Sequence, residues 1–192
     1  KRHSLDINSP ILTLLPGSRQ QEVDRHWPIY LETVKILRKK IINLQVIIGK
    51  SSNIKLRDCP RDFKIENNAK KAMIVGRAGL VSSGTATLEC AIEGLPIVVC
   101  YKLFSLSWVI AKVLVKVKHS SIINLIMDKQ VVPELLQKDM KPKLILSKLM
   151  KLFDDKSEER KTMLTDYDKL RTLLGRPGVY NRIAEKILNK TA

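Results

Sequence analysis

The stretch AGLVSSGTATLECAIEGLPIVVCY, residues 78–101, contains a complete folding unit. Ala78 to Ser82 is a small apolar run suited to a strand, Ser83 and Gly84 interrupt it, and Thr85 to Glu93 carries apolar residues at helical spacing before stopping at Gly94. Pro96 to Tyr101 then has almost no polar residue, as a strand covered on both faces requires. A strand that reaches its partner through a helix runs parallel to it, so the stretch predicts a βαβ unit in a parallel sheet.

The flanking sequence repeats the pattern. Ile11 to Leu15 is an apolar run ending in Pro16-Gly17, and Val23 to Ile42 has helical spacing with charges between the apolar positions. Leu44 to Ile48 reads as a second strand closed by Gly49, followed by a polar, proline-containing loop from Lys50 to Asp62. Phe63 to Ile65 is a short third strand and Ala69 to Val75 a short helix ending at Gly76. From Pro133 the pattern turns helical: PELLQ, Pro142 to Phe153, Glu158 to Leu174, and Val179 to Leu188 after the break Gly175-Arg176-Pro177-Gly178. The whole predicts an α/β, Rossmann-like doubly wound parallel sheet with C-terminal helices, and the last third could pack as a helical appendage. We expect one main domain over 1–174 and a C-terminal helical extension over 175–192, whose Gly-Pro-Gly hinge suits helix exchange in a homodimer.

Composition narrows the partners. The 192 residues are 44% hydrophobic, enough for one compact core, and 35 Lys+Arg against 19 Asp+Glu leave a net charge of +16. That excess points to an anion: nucleic acid, anionic lipid or a phosphorylated small molecule. Cys59, Cys90 and Cys100 form no CxxC pair and have no histidine at ligand spacing, so neither a disulfide framework nor a metal site is expected, and a reducing cytoplasm fits. The longest uncharged apolar stretch, Leu103 to Ala111, is too short to span a bilayer. The chain opens on Lys1, so we expect it to be part of something longer.

Two turns carry chemistry. In open α/β sheets, ligands bind beyond the carboxyl ends of strands, where turns lead into helix N-termini with free N–H groups. Leu15-Pro16-Gly17-Ser18-Arg19 lets backbone approach an anion at Gly17, offers the Ser18 hydroxyl and adds the Arg19 guanidinium; equally, it fits a plain turn with Ser18 as helix cap and Arg19 solvated. Ser83-Gly84-Thr85 repeats the arrangement, with Glu89 one turn further in. A diphosphate on the amides and ribose hydroxyls on Glu89 is one reading; an ordinary Thr85 cap with a first-turn acid is the other. Between Glu93 and Asp128 there is no acidic residue, while Lys102, Lys112, Lys116, Lys118 and His119 interleave with Phe104, Trp108 and aliphatic residues. This stretch suits either an anionic membrane surface or an acylated phosphosugar, and equally a core helix with a basic edge. His3, His26 and His119 stand alone, no nucleophilic triad order is present, and neither a Walker-type nor a dinucleotide glycine pattern occurs.

Three stretches, LLPGSRQQEV at 14–23, SSGTATLECAIEGLPIVVCYK at 82–102 and IINLIMDKQVVPELLQ at 122–137, resemble in order and separation the C-terminal half of the bacterial lipid-A-disaccharide synthase family, two-domain glycosyltransferases of the GT-B fold. The resemblance implies transfer of the sugar of UDP-2,3-diacylglucosamine to 2,3-diacylglucosamine 1-phosphate with release of UDP. No metal or cofactor is implied, and the place of action is the inner face of the bacterial inner membrane. It implies that this chain is the donor-binding half, inactive without an N-terminal acceptor domain. Arg19 is then the residue activity needs. Gly17, Ser18, Ser83, Gly84, Thr85 and Thr87 lie on the phosphate side, Glu89 at the ribose, and Asn124 and Gln137 elsewhere on the donor. Two departures stand out: Arg77 where the family commonly has aspartate, and Ile123 where it has proline. The rivals are a non-catalytic basic module for RNA or anionic lipid, and another GT-B enzyme acting on UDP-sugars. The 5% aromatic content and lack of an RNA-binding motif argue against nucleic acid, and LPGSR with VVPELLQ argues against the second.

Overall fold

The computed structural model describes residues 5, 6, 8–82, 84–102 and 119–175. The elements run β1 (Ile11–Leu15), α1 (Gln20–Leu37), β2 (Gln45–Gly49), β3 (Lys64–Glu66), α2 (Ala69–Val75), β4 (Ala78–Ser82), α3 (Thr85–Glu93), β5 (Ile97–Tyr101), α4 (Ile122–Met127), β6 (Glu134–Leu136), a 3-10 turn (Gln137–Asp139), α5 (Pro142–Phe153) and α6 (Glu158–Leu174). All neighbouring strands pair in parallel, in the order β3-β2-β1-β4-β5-β6. The order reverses between β1 and β4, which is the switch point of a doubly wound sheet.

Burial explains the layers. Every residue of β1 and β4 is buried, as both faces of a parallel sheet require. α1 turns Val23, His26, Trp27, Tyr30, Thr33, Val34 and Leu37 inward, a stripe at helical spacing, and packs beside α5. α2 and α3 pack together against the sheet, α2 on β1 and β2 and α3 on β4 and β5. α2 comes so close to β1 that a Cβ at Gly76 would stand 2.1 Å from Thr13 Oγ1, so only glycine fits there.

The last third is not an appendage. Ile145, Leu149 and Leu152 of α5, with Tyr167 and Leu170 of α6, belong to the same core as Leu12, Leu80 and Val98 of the strands. α6 straps the amino end of the sheet: Arg160 donates to the carbonyls of Arg77 and Leu152, and Arg171 to those of Ala91 and Ile92. Arg77, the departure from the resembled pattern, pairs with Asp155 and donates through Nε to the Phe153 carbonyl. PELLQ also differs from its helical reading. Glu134–Leu136 is the edge strand β6, paired with β5 through Cys100 and Leu135, and only Gln137 begins a 3-10 turn. Sheet pairing there overrides local helix propensity. The helix expected over Val179 to Leu188, most of the apolar basic stretch from Leu103 onward, and Ser83 lie outside the described residues.

Candidate functional site

The carboxyl ends of β1, β2 and β4 open into a cleft of about 190 Å³ lined by Gly17, Ser18 and Glu22, by Gly49, Lys50 and Asn67, and by Ser82, Gly84 and Thr85. The turn after β1 and the turn after β4 therefore meet across the switch point. Gly17 has φ +125° and Gly84 φ +142°, backbone that side chains rarely adopt, and nothing stands within 4 Å of a Cβ built at Gly84. Both turns lead directly into helices that lack a side-chain cap. Asn68, Ser121 and Ser157 accept from the first turns of α2, α4 and α6, whereas Arg19, Gly84 and Lys141, the N-cap residues of α1, α3 and α5, cap with no side chain; of these three only α1 and α3 start at the cleft. Among the described residues, then, no side chain caps the two helices facing the cleft, an arrangement that suits an anion.

The N-cap positions differ from those read in the sequence by one residue each. Arg19 rather than Ser18 caps α1, and Gly84 rather than Thr85 caps α3. Ser18 and Thr85 consequently expose their hydroxyls. Arg19 is exposed and its Nη1 donates to Glu22 Oε1 at 3.1 Å. Glu89 stands four residues after Thr85 on the same exposed face of α3. Thr87 faces inward, fully buried, its hydroxyl donating to the Gly84 carbonyl at 2.7 Å, so it braces the turn.

Asn124 and Gln137 stand away from the cleft lining. Asn124 is fully buried: Oδ1 accepts from the amides of Val131 and Val132, and Nδ2 donates to the Val132 carbonyl and to Glu134 Oε1. Glu134 also accepts from the amides of Ser120 and Ser121, so the pair fastens the entry of α4 to the start of β6. Gln137 follows β6 at the carboxyl edge of the sheet with φ +50°, and its buried Nε2 has no hydrogen-bond partner.

Beneath the cleft lies a knot the sequence did not disclose. His26, fully buried on α1, accepts the Lys102 amide at Nε2 (3.1 Å), which leaves the proton on Nδ1. Nδ1 donates to Ser82 Oγ (2.8 Å), and Ser82 in turn donates to the Pro16 carbonyl (2.7 Å). One imidazole therefore ties the ends of β1, β4 and β5 together. Burial pushes its pKa below the ordinary histidine value, more than the Pro16 carbonyl and the Glu22 charge raise it. The partners lie 56 and 76 residues away, beyond any local pattern.

A larger groove, about 980 Å³, lies at the opposite end of the sheet among Ile42, Ile74, Met150, Arg77 and Asp155, without open helix N-termini. Among the described residues no group of three or more His, Cys, Asp or Glu side chains can hold a metal ion, and no helix is long and apolar enough to cross a membrane.

The family model "Lipid-A-disaccharide synthetase" matches residues 1–188. Lipid-A-disaccharide synthase of Syntrophus aciditrophicus is 33% identical over 182 residues, covering 90% of this chain and 47% of that protein. The enzyme of the same name from Myxococcus xanthus is 32% identical over 196 residues, covering 98% and 51%. The chain thus spans about half the length of the curated relatives it matches. Among solved structures, the spinosyn rhamnosyltransferase SpnG superposes with a TM-score of 0.64 at 12% identity, over 96% of this chain and 47% of that one. A putative UDP-N-acetylglucosamine 2-epimerase from Listeria monocytogenes gives 0.57 at 11%, over 82% and 40%. At such identities the likeness shows the fold, the Rossmann-like domain of GT-B glycosyltransferases.

Proposed function

The chain belongs to the lipid-A-disaccharide synthase family, and from that premise we propose that its switch-point cleft holds the UDP part of a diacylglucosamine donor, making this chain the donor-binding half of a hexosyltransferase. The observation that carries the reading is the pairing of two glycine turns with two uncapped helices at one cleft. The amides after Gly17 and Gly84 and the hydroxyls of Ser18, Ser83 and Thr85 receive the diphosphate, while Arg19 supplies a guanidinium. Glu89 accepts from the ribose hydroxyls, and Gln137 donates its unpartnered Nε2 to the donor. Thr87 and Asn124 act by bracing rather than by contact.

The reaction that follows is transfer of the sugar to 2,3-diacylglucosamine 1-phosphate. As the bond to UDP breaks, negative charge grows on the diphosphate. Fixed amides and Arg19 stabilise it without reorganising, typically worth about 10²–10³ in rate per donor. The acceptor side is assigned to the half of the curated relatives' length that this chain does not span. Work at the inner face of the inner membrane agrees with the charge of +16, which favours an anionic surface.

Amide chemical shifts followed during addition of UDP test the assignment. The largest changes are expected at Gly17, Ser18, Gly84 and Thr85. Changes confined to the groove around Ile42 and Ile74 would overturn it.

A further inference from the structure

We infer that Glu22 and Tyr101 form a positioning pair that aims Arg19 at the phosphates of the bound nucleotide, an inference that rests on the donor-site reading above. Glu22 sits in the first turn of α1 and lines the cleft. Its Oε1 accepts twice, from Arg19 Nη1 at 3.1 Å and from the Tyr101 hydroxyl at 3.0 Å. Its Oε2 lies over the glycine turn, 3.4 Å from where a Cβ of Gly17 would stand. The carboxylate is thus set between the turn and the guanidinium.

Three observations make this more than a surface ion pair. Arg19 has a mostly exposed side chain, 79%, whereas that of Glu22 is only 14% exposed, so the carboxylate is the fixed member and the arginine the guided one. The tyrosine that holds it comes from the end of β5, 79 residues away, so a third strand contributes to the aim of the first turn. Tyr101 is in turn seated against His26, with ring centroids 5.4 Å apart, which links the pair to the knot under the cleft. A guanidinium offers five N–H donors in a rigid fork. With Nη1 held by Glu22, the fork is tethered beside the glycine turn and Nε and Nη2 can face an anion.

A carboxylate beside a phosphate site is unfavourable by charge alone. Its presence requires a compensating gain, and restricting an otherwise mobile arginine supplies one. The two effects make opposite predictions. If Glu22 merely adds negative charge, its removal strengthens UDP binding; if it aims Arg19, its removal weakens UDP binding although a repulsive charge has gone.

The test compares UDP and uridine binding to the full 192-residue chain, because uridine lacks the phosphates Arg19 would meet. Tyr101→Phe is the cleanest variant, since it keeps the ring and every charge and removes only the hydroxyl that fixes Glu22. The expected result is a fall of about threefold to tenfold in the UDP-to-uridine affinity ratio, the upper bound being the loss of one hydrogen bond from Arg19 to the phosphates, with uridine affinity unchanged. Glu22→Gln should lower the ratio as well, and neither change should lower it further in an Arg19→Ala background. An unchanged ratio in Tyr101→Phe, or a raised one in Glu22→Gln, while Arg19→Ala lowers it, would overturn the inference and leave the donor site standing. Wild-type protein that binds UDP no better than uridine would overturn both. Nitrogen-15 spectra of the Arg19 guanidinium give a reading independent of ligand: slowed rotation about its terminal bonds in the wild type and free rotation in Tyr101→Phe are expected, and equal rotation in the two contradicts the pair.

Discussion

Because Nε2 of His26 accepts the Lys102 amide proton, the imidazole must stay neutral for its three contacts to persist. Its pKa is depressed in the folded protein, with burial as the main cause, while Glu22 raises it and Arg25 lowers it. Unfolded chains therefore bind more protons than folded ones as pH falls below the ordinary value of about 6.5, so stability declines from there toward the folded pKa. Urea unfolding at about pH 7.5 and about pH 5.5 should show a larger loss for wild type than for His26→Asn, in which no imidazole titrates. At the higher pH, His26→Ala should cost about 3 kcal/mol, since it leaves Ser82 and the Lys102 amide short of partners and opens a cavity. Nothing in the local sequence around His26 announced this role, because both strand-end partners arrive only through the fold. Gly17, Ser18 and Arg19 were legible because a proline-glycine turn between a strand and a helix has local causes.

At the scale of elements, β1, α2, β4, α3, α5 and α6 match their expected ends because each is bounded by glycine, proline or a capping side chain. β6 and α4 do not. Three residues of strand hold too little periodicity to separate from a helix, and α4, six residues long, was not foreseen as an element. What fixes them is tertiary: Asn124 satisfies the amides of Val131 and Val132 and shares Glu134 with the entry to α4. Asn124→Ala should therefore lower stability by about 2–4 kcal/mol, because it strands several buried polar groups at once. Chemical denaturation measures that loss. Hydrogen exchange should place the opened amides at residues 131 and 132, whereas an Asn124 that served only to touch a ligand would leave both exchange and stability unchanged. Gly84→Ala tests the second turn differently: with no neighbour to strike, it should cost about 1–3 kcal/mol from backbone strain alone.

For the whole molecule, six parallel strands, helices on both faces and the α6 strap share one core among the described residues. The strands and the helices α5 and α6 should then unfold in one cooperative transition, with near-UV and far-UV dichroism changing together; two separate transitions would mean that the last third folds apart from the sheet. The doubly wound class was legible from alternating strands and helices, but the strap was not, since Arg160 and Arg171 act on carbonyls far along the chain. The charge of +16 also belongs to this scale, and on its own it would serve a basic module as well as a donor-binding half. Salt separates them, since contacts with a polyanion weaken steeply with ionic strength. The most direct measurement is therefore calorimetric titration of the chain with UDP and with AMP at low and high salt, alongside Arg19→Ala and Glu89→Ala. A donor-binding cleft should bind UDP at least about tenfold tighter than AMP at both salts, with both substitutions weakening it; equal affinities that vanish together at high salt would contradict the donor-site assignment.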